Sequence, residues 1–247
     1  MQVAPRIPAR RPYACWINTH YHDAWIIVPA FNEASVIGDV IGELTGTFPN
    51  VVVVDDGSRD DTPAIAHAAG AHVITHPVNL GQGAAIQTGV DYARKQSGAR
   101  YFATFDADGQ HRIEDVVAMI NRLNSQDVDI VVGTRFAAGP PPGVPILKRI
   151  VLRAAAALSP TSRKLKLTDA HNGLRVFNRT VADSLDITLN GMGHASEIIS
   201  LIVENGWRVA EQPVEILYTD YSMSKGQPLL NGVNIVVDGF LRKRLPR

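Results

Sequence analysis

The strongest constraint on the fold is an alternation. Short apolar runs alternate with segments whose apolar residues recur at helical spacing. The runs are "AWIIVPA" (Ala24 to Ala30), "VVVVDDGS" from Val51, "AHVITH", "RYFATFDAD" and "VDIVVGTRF". A strand that is apolar on both faces belongs in a parallel sheet covered by helices on both sides. Between the first two runs, "ASVIGDVIGELTG" sets Val36, Ile37, Val40, Ile41 and Leu44 on one helical face. "DDTPAIAHAAG" opens on capping residues and stops at Gly70, "GQGAAIQTGVDYARKQSG" is a helix opened by glycines, and "RIEDVVAMINRLN" is a fourth helix. Strand and helix alternate in this way through about residue 136, which predicts an α/β fold with a doubly wound sheet.

Such a sheet binds ligands beyond the carboxyl ends of its strands, and the charged residues lie there. Asp55 and Asp56 end the second run, Asp106 and Asp108 the fourth, and Arg135 the fifth. Asp106 and Asp108 share one side of the segment if it stays extended. Two acids that close repel each other unless a cation sits between them or one pKa rises. Hard oxygen ligands suit magnesium or manganese. A strand-to-loop turn, where Asp and Gly serve the backbone, is the alternative reading of "DADG".

Beyond Arg135 the texture changes. "AAGPPPGVP" is a proline-rich loop, and "ILKRIVLRAAAALSP" is amphipathic and helical. "LTDAHNGLRVFNR" reads as a strand bearing Asp169 and Arg175, and "HASEIISLIVENG" as a helix stopped by Gly206. "WRVAEQPVEILYT" is a further strand, and "LLNGVNIVVDGFLRKRLPR" a terminal helix with a basic tail. The expected organisation is a flexible extension over 1–23, one domain over 24–226, and a C-terminal helix with a basic tail over 227–247. Within the domain, 137–226 is an accessory half to 24–136.

Several function classes are disfavoured. Lys plus Arg equals Asp plus Glu, 24 each, so the formal net charge is zero, whereas a nucleic-acid binder needs a strong positive field. Cys15 has no second cysteine to pair with, which permits a reducing compartment. No apolar run reaches the roughly 18–20 residues of a membrane span. "GQGAAIQTG" has the glycines of a dinucleotide loop but does not follow the first strand, which disfavours a dehydrogenase. His20, His22 and Asp23 lack companions at metal-site spacing and read as a surface cluster.

"VPAFNEA", "VVVVDDGSRDDT", "NLGQGAAIQTG", "FATFDADGQH", "VVGTRF" and "TDAHNGLRVFNR" occur in that order. Together they resemble the family-two inverting glycosyltransferases of GT-A fold, and within them the dolichyl-phosphate mannose synthase-like, polyprenyl-phosphate sugar transferases. The resemblance spans residues 24 to 226. It implies a GT-A (Rossmann-like), doubly wound mixed sheet in a single domain. It also implies metal-dependent transfer of a sugar from a UDP- or GDP-sugar to a polyprenyl or dolichyl phosphate.

By the same resemblance Asp108 and Gln110 hold Mg2+ or Mn2+, with Asp106 contributing to the metal or to the ribose of the nucleotide. Pro29, Phe31, Glu33, Val54, Asp56 and Ala107 line the nucleotide site. Arg135 contacts phosphate, Lys225 in "YSMSKGQ" closes over the diphosphate, and Asp169 stands where some members place a base. Asp169 reads equally as a structural acid that orients Arg175. Two departures stand out: Thr219 replaces an arginine usual six residues before the lysine, and His171 is unusual in the acceptor-side motif. A saccharide, small molecule or protein acceptor is the second reading, and a non-catalytic nucleotide-binding module the third.

A lipid-phosphate acceptor implies work at a membrane surface, from the cytoplasmic side. Phe240 and Leu241 beside Arg242, Lys243, Arg244 and Arg247 suit an anionic leaflet, and Arg6, Arg10 and Arg11 add to them. A basic helix end complementing its own dipole is the plainer reading. A membrane-protein partner would also supply an anchor.

Overall fold

The structure is a computed structural model that describes residues 21–135, 165, 167–169, 172–191 and 193–217. Thirteen elements form one α/β domain. They run β1 (Ala24–Ala30), α1 (Ile37–Thr45), β2 (Asn50–Asp55), α2 (Thr62–Ala68), β3 (His72–Thr75), α3 (Gln82–Ala93) and β4 (Tyr101–Thr104). There follow α4 (Ile113–Ser125), β5 (Ile130–Thr134), β6 (Arg175–Asn178), α5 (Arg179–Ser184), α6 (His194–Asn205) and β7 (Val209–Pro213).

The strands make one seven-stranded sheet in the order β3-β2-β1-β4-β6-β5-β7. β1 to β4 are parallel neighbours. β6 runs antiparallel between β4 and β5, with Thr104 opposite Arg175 and Val132 opposite Arg175. The sheet is therefore mixed, as the resemblance implied. Of "LTDAHNGLRVFNR" only Arg175–Asn178 is strand, and Asp169 precedes it. Because β6 is antiparallel, its amino end lies at the carboxyl ends of its neighbours. That brings residues 169 and 172–174 into the same crevice as the acids after β4.

Alternation along the central strands divides the core. Ile26, Val28, Val51, Val53 and Ala103 pack with α1 and α4, while Ile27, Val52, Val54 and Phe102 pack with α3, α5 and α6. Helix α1 buries Ile37, Val40, Ile41 and Leu44 on the stripe its spacing predicted. Helix α6 ends at Gly206, whose φ of 69° is the left-handed cap that glycine tolerates best. Helix α3 lies unusually close to the sheet: a Cβ on Gly89 would stand 2.4 Å from Ile27 Cγ2. Of the extension expected over 1–23, Tyr21 packs on Phe48 and the Asp23 carbonyl accepts the Arg100 and Tyr101 amides; residues 1–20, the amphipathic segment after Arg135 and the C-terminal helix lie outside the described residues. Among the described residues no helix is long and apolar enough to cross a membrane.

Candidate functional site

The crevice is built from five strand ends. From β1 come Pro29, buried in the strand, then Phe31, which is 41% exposed, and Glu33. Asn32 takes a positive φ of 55°, and its side-chain oxygen accepts the Arg59 amide at 2.9 Å. The Asn32 amide in turn donates to Ser58 Oγ at 2.8 Å. This turn fixes Phe31 and Glu33 beside the end of β2. There Val54 is buried and Asp55 and Asp56 follow.

The Asp56 carboxylate accepts from His76 Nδ1 at 2.8 Å and from the Leu80 and Gly81 amides at 2.9 and 2.7 Å. It thus holds the loop that leads into α3, a task that sequence reading did not assign to it. Asp55 accepts the Ser58 amide on one oxygen, and its buried Oδ2 has no partner.

The acids after β4 do not continue an extended strand. Strand β4 stops at Thr104, Ala107 and Asp108 lie in a turn, and Gly109 adopts a φ of 72°. Phe105 and Ala107 are buried, which aims the flanking carboxylates away from the core. Asp106 Oδ1 accepts from Gln82 Nε2 at 3.1 Å, and its Oδ2 accepts from His111 Nε2 at 3.0 Å. The His111 ring packs edge-on against Phe105.

Burial works against the charged form of Asp106. The hydrogen bond and charge of His111, with the Arg175 charge behind them, nevertheless hold its carboxyl below the usual range. Asp108 goes the other way. Burial first, and then the Asp106 charge, push it up to about 6, with Glu33 adding to the push. Its Oδ1 accepts the Gln110 amide at 3.1 Å. Asp106 and Asp108 are thus a like-charge pair in which one carboxylate stays ionised at the expense of the other.

Across the crevice, Arg135 follows β5 and forms a two-pronged pair with Asp169. Its Nε donates to Oδ2 at 2.6 Å, one Nη to Oδ1 at 2.7 Å, and its amide to Oδ2 at 3.1 Å. Asp169, 3% exposed, therefore orients Arg135, not the Arg175 that the structural reading of the sequence had named.

Arg175 is itself 1% exposed. One of its nitrogens reaches the Gly173 carbonyl at 3.5 Å, and its Nε and other Nη have no partner. Burial lowers its pKa to about 10, while the charges of Asp106 and Asp169 pull it back up. Nearby, burial and the Arg175 charge depress His194 to about 4. Gly173 is where the β6 approach touches the acids: a Cβ there would stand 2.1 Å from Asp106 Oδ2.

The strand ends bring Phe31, Glu33, Asp106, Asp108, Gln110, Arg135 and Asp169 to the same edge of the sheet, whereas Pro29 and Val54 are buried within their strands, Ala107 is buried against the core, and Asp56 is 3% exposed. Lys225, His171 and Thr219 lie outside the described residues. Sequence reading missed His76, Gln82, His111, Gly173 and His194. Only the step from Gly81 into a helix-opening glutamine hinted at one of them.

The oxygens of Asp106 and Asp108, with the Gln110 side chain in the same turn, fit a hard divalent cation by their chemistry. Among the described residues no group of three or more His, Cys, Asp or Glu is placed to hold a metal ion.

Known proteins agree with this architecture. The model of the family described as "Glycosyl transferase family 2" matches residues 25–186. An uncharacterized protein of Methanocaldococcus jannaschii is 32% identical over 225 residues, covering 90% of this chain and 92% of that one. A UDP-N-acetylglucosamine–dolichyl-phosphate N-acetylglucosaminyltransferase of Methanococcus voltae is 28% identical, covering 85% of this chain and 92% of its own. The polyprenol monophosphomannose synthase of Mycolicibacterium smegmatis is 26% identical, with 90% and 88% covered. Among solved structures, glucosyl-3-phosphoglycerate synthase of Mycobacterium tuberculosis, crystallised with Mn2+, UDP-glucose and phosphoglyceric acid, superposes with a TM-score of 0.69. Its identity is 18%, with 92% of this chain and 82% of that one covered, and it shares the fold. With the family model spanning β1 to α5 and relatives aligned nearly end to end, the chain belongs to glycosyl transferase family 2.

Proposed function

We propose that the chain transfers a hexosyl group from a UDP- or GDP-sugar to the phosphate of a polyprenol or dolichol, inverting the anomeric carbon. Membership of the family makes it a glycosyltransferase; donor, acceptor and metal are the finer reading. The observation that supports a metal is geometric: Asp106 and Asp108 flank the buried Ala107 in one turn at the end of β4, with Gln110 two residues on. Asp106, Asp108 and Gln110 would hold Mg2+ or Mn2+ against a donor diphosphate. When bound, the ion stabilises the negative charge that develops on the leaving group.

The other residues act in named places. Phe31 and Glu33 bound the nucleoside, with Pro29, Val54, Asp56 and Ala107 buried behind them. Arg135, kept in one orientation by Asp169, contacts phosphate, a task its planar fork suits. The acceptor oxygen forms the new bond to the anomeric carbon as the bond to the diphosphate breaks. A phosphate acceptor already carries the charge it attacks with and needs no general base. A hydroxyl acceptor would need one, and Asp169 would have to release Arg135 to serve.

The lipid acceptor is supported by the names of the relatives from Methanococcus voltae and Mycolicibacterium smegmatis. Such an acceptor places the enzyme at the cytoplasmic membrane face, met there by the basic tail or by a membrane-protein partner.

The test pairs UDP- and GDP-sugars with dolichyl and undecaprenyl phosphate in detergent, with Mn2+, Mg2+ or a chelator. Transfer that needs metal and is abolished in folded Asp108→Asn is expected. Full turnover by that variant, or metal-independent transfer, would refute the metal site. Transfer to soluble acceptors alone would replace the lipid reading.

A further inference from the structure

We propose that Leu80–Gln82 is a fixed link between the carboxylates at the ends of β2 and β4, and that Gln82 is the positioning residue for Asp106. The inference rests on Asp106 belonging to the donor-metal site and deepens that reading. It starts at Asp56, which is 3% exposed. A carboxylate only accepts, so His76 Nδ1 is the donor in their 2.8 Å contact. The other ring nitrogen meets Thr88 Oγ1 of α3 at 3.0 Å. Held from that side, the carboxylate pins the Leu80 and Gly81 amides.

The opposite wall is as tight. Gly81 has a φ of 98°, and a Cβ on it would stand 2.3 Å from the Asn190 carbonyl oxygen. The Gly83 amide donates to that same oxygen at 2.7 Å. A Cβ on Gly83 would lie 2.0 Å from the Leu189 carbonyl oxygen. The backbone on both sides of Gln82 is therefore fixed.

From this base Gln82 Nε2 reaches Asp106 Oδ1 at 3.1 Å. Only Gln82 and His111 hydrogen-bond the Asp106 side chain among the described residues. Gln82 secures one oxygen while His111 secures the other, which sets the plane of the carboxylate. A neutral amide does this without spending the charge that a cation needs. Lysine or arginine at position 82 would neutralise it. Partners that orient a ligating carboxylate change metal affinity about 10–100-fold when removed.

The test follows Mn2+ by the paramagnetic resonance signal of the free ion in the full-length chain, alone and with UDP or GDP. Gln82→Leu keeps the size and the helix but removes the donor. It should bind Mn2+ about 10–100-fold more weakly at an unchanged unfolding temperature, and lower kcat more than it raises KM for the donor. His76→Gln should weaken Mn2+ as well, but add nothing in the Gln82→Leu background, because residues on one link are not additive. Thr88→Val replaces it if that variant does not fold.

Wild-type Mn2+ affinity in Gln82→Leu, or additive losses, would overturn the link. Should the wild type itself bind no Mn2+, the metal reading falls instead. The link is then decided by hydrogen exchange at the Leu80 and Gly81 amides, which His76→Gln should accelerate. Unchanged exchange would overturn it.

Discussion

Replacing Gly173 by alanine tests whether the approach to β6 sets the place of Asp106. Gly173 is not among the glycines of positive φ, so its backbone accepts alanine without conformational strain. What it cannot accept is the new methyl. The Cβ would lie 2.1 Å from Asp106 Oδ2 and 2.8 Å from Cγ and Oδ1, while ordinary contacts begin near 3.5 Å. The carboxylate must withdraw by ~1 Å. It is tied by Gln82 at 3.1 Å and His111 at 3.0 Å, and hydrogen bonds to charged groups contribute about 1.5–3 kcal/mol each. One of them is lost or stretched. A misplacement of ~1 Å at a reacting centre costs on the order of 10²-fold, which is about 2.7 kcal/mol of barrier. Sugar transfer at saturating Mn2+, Mn2+ affinity and thermal unfolding should be measured together. Gly191→Ala serves as control, because a Cβ there meets nothing within 4 Å. Turnover and Mn2+ affinity should fall on the order of 10²-fold in Gly173→Ala alone. If both stay at wild type, residues 172–174 back away instead, and Asp106 does not owe its position to Gly173.

Asp108, with its pKa pushed up to about 6 by burial and by Asp106, takes up a proton below that pH. Mn2+ affinity should therefore be flat above pH 6 and fall about tenfold per unit below it; calorimetric titration from pH 7.5 to 5 checks this, and a flat profile would exclude Asp108 as a ligand. His194 has its pKa depressed to about 4 by burial and the Arg175 charge, so between about 6.5 and 4 the unfolded chain binds the proton that the folded one refuses. Stability should drop as pH falls through that window, by at most about 3 kcal/mol, and urea unfolding of His194→Gln should lose that component of the slope. Flotation with anionic liposomes at low salt should depend on residues 240–247, and equal flotation of a chain ending at Gly239 would remove the tail from the membrane contact.

The parallel half was legible because its information is local. Apolar runs of strand length and the stripe Ile37, Val40, Ile41, Leu44 need only neighbouring residues to be read. The carboxylates were legible too, since the ends of parallel strands converge by rule. Strand direction beyond Arg135 was not, because periodicity gives the same pattern for β6 whichever way it runs. The partner of Asp169 was misassigned for a related reason. Arg175 is near in sequence, but Arg135 is brought beside Asp169 by Gly133 and Leu174, whose backbones pair across β5 and β6. The bend after Phe105 depends on burying Ala107 against the core, a tertiary effect that no dipeptide reports. His76 and Gln82 carry no motif of their own, and their partners lie 20 and 24 residues away.

The placement of β6 between β4 and β5 also dictates the order in which the crevice can come into being on the ribosome. β1, β2 and β3 pair only within the set β1 to β4, so these four strands can associate as soon as they are made, leaving one edge of β4 for β6. β5 cannot join them, because its strand neighbours are β6 and β7, synthesised some 40 and 75 residues later. Until β6 arrives, β4 presents an open edge beside its acids, and Arg135 has no register relative to them. An unpaired edge of this kind is where nascent chains associate wrongly. Ribosome stalling between residues 136 and 174 should therefore yield the most aggregation-prone intermediate. A split of the gene there should give two fragments that recover the crevice only when expressed together.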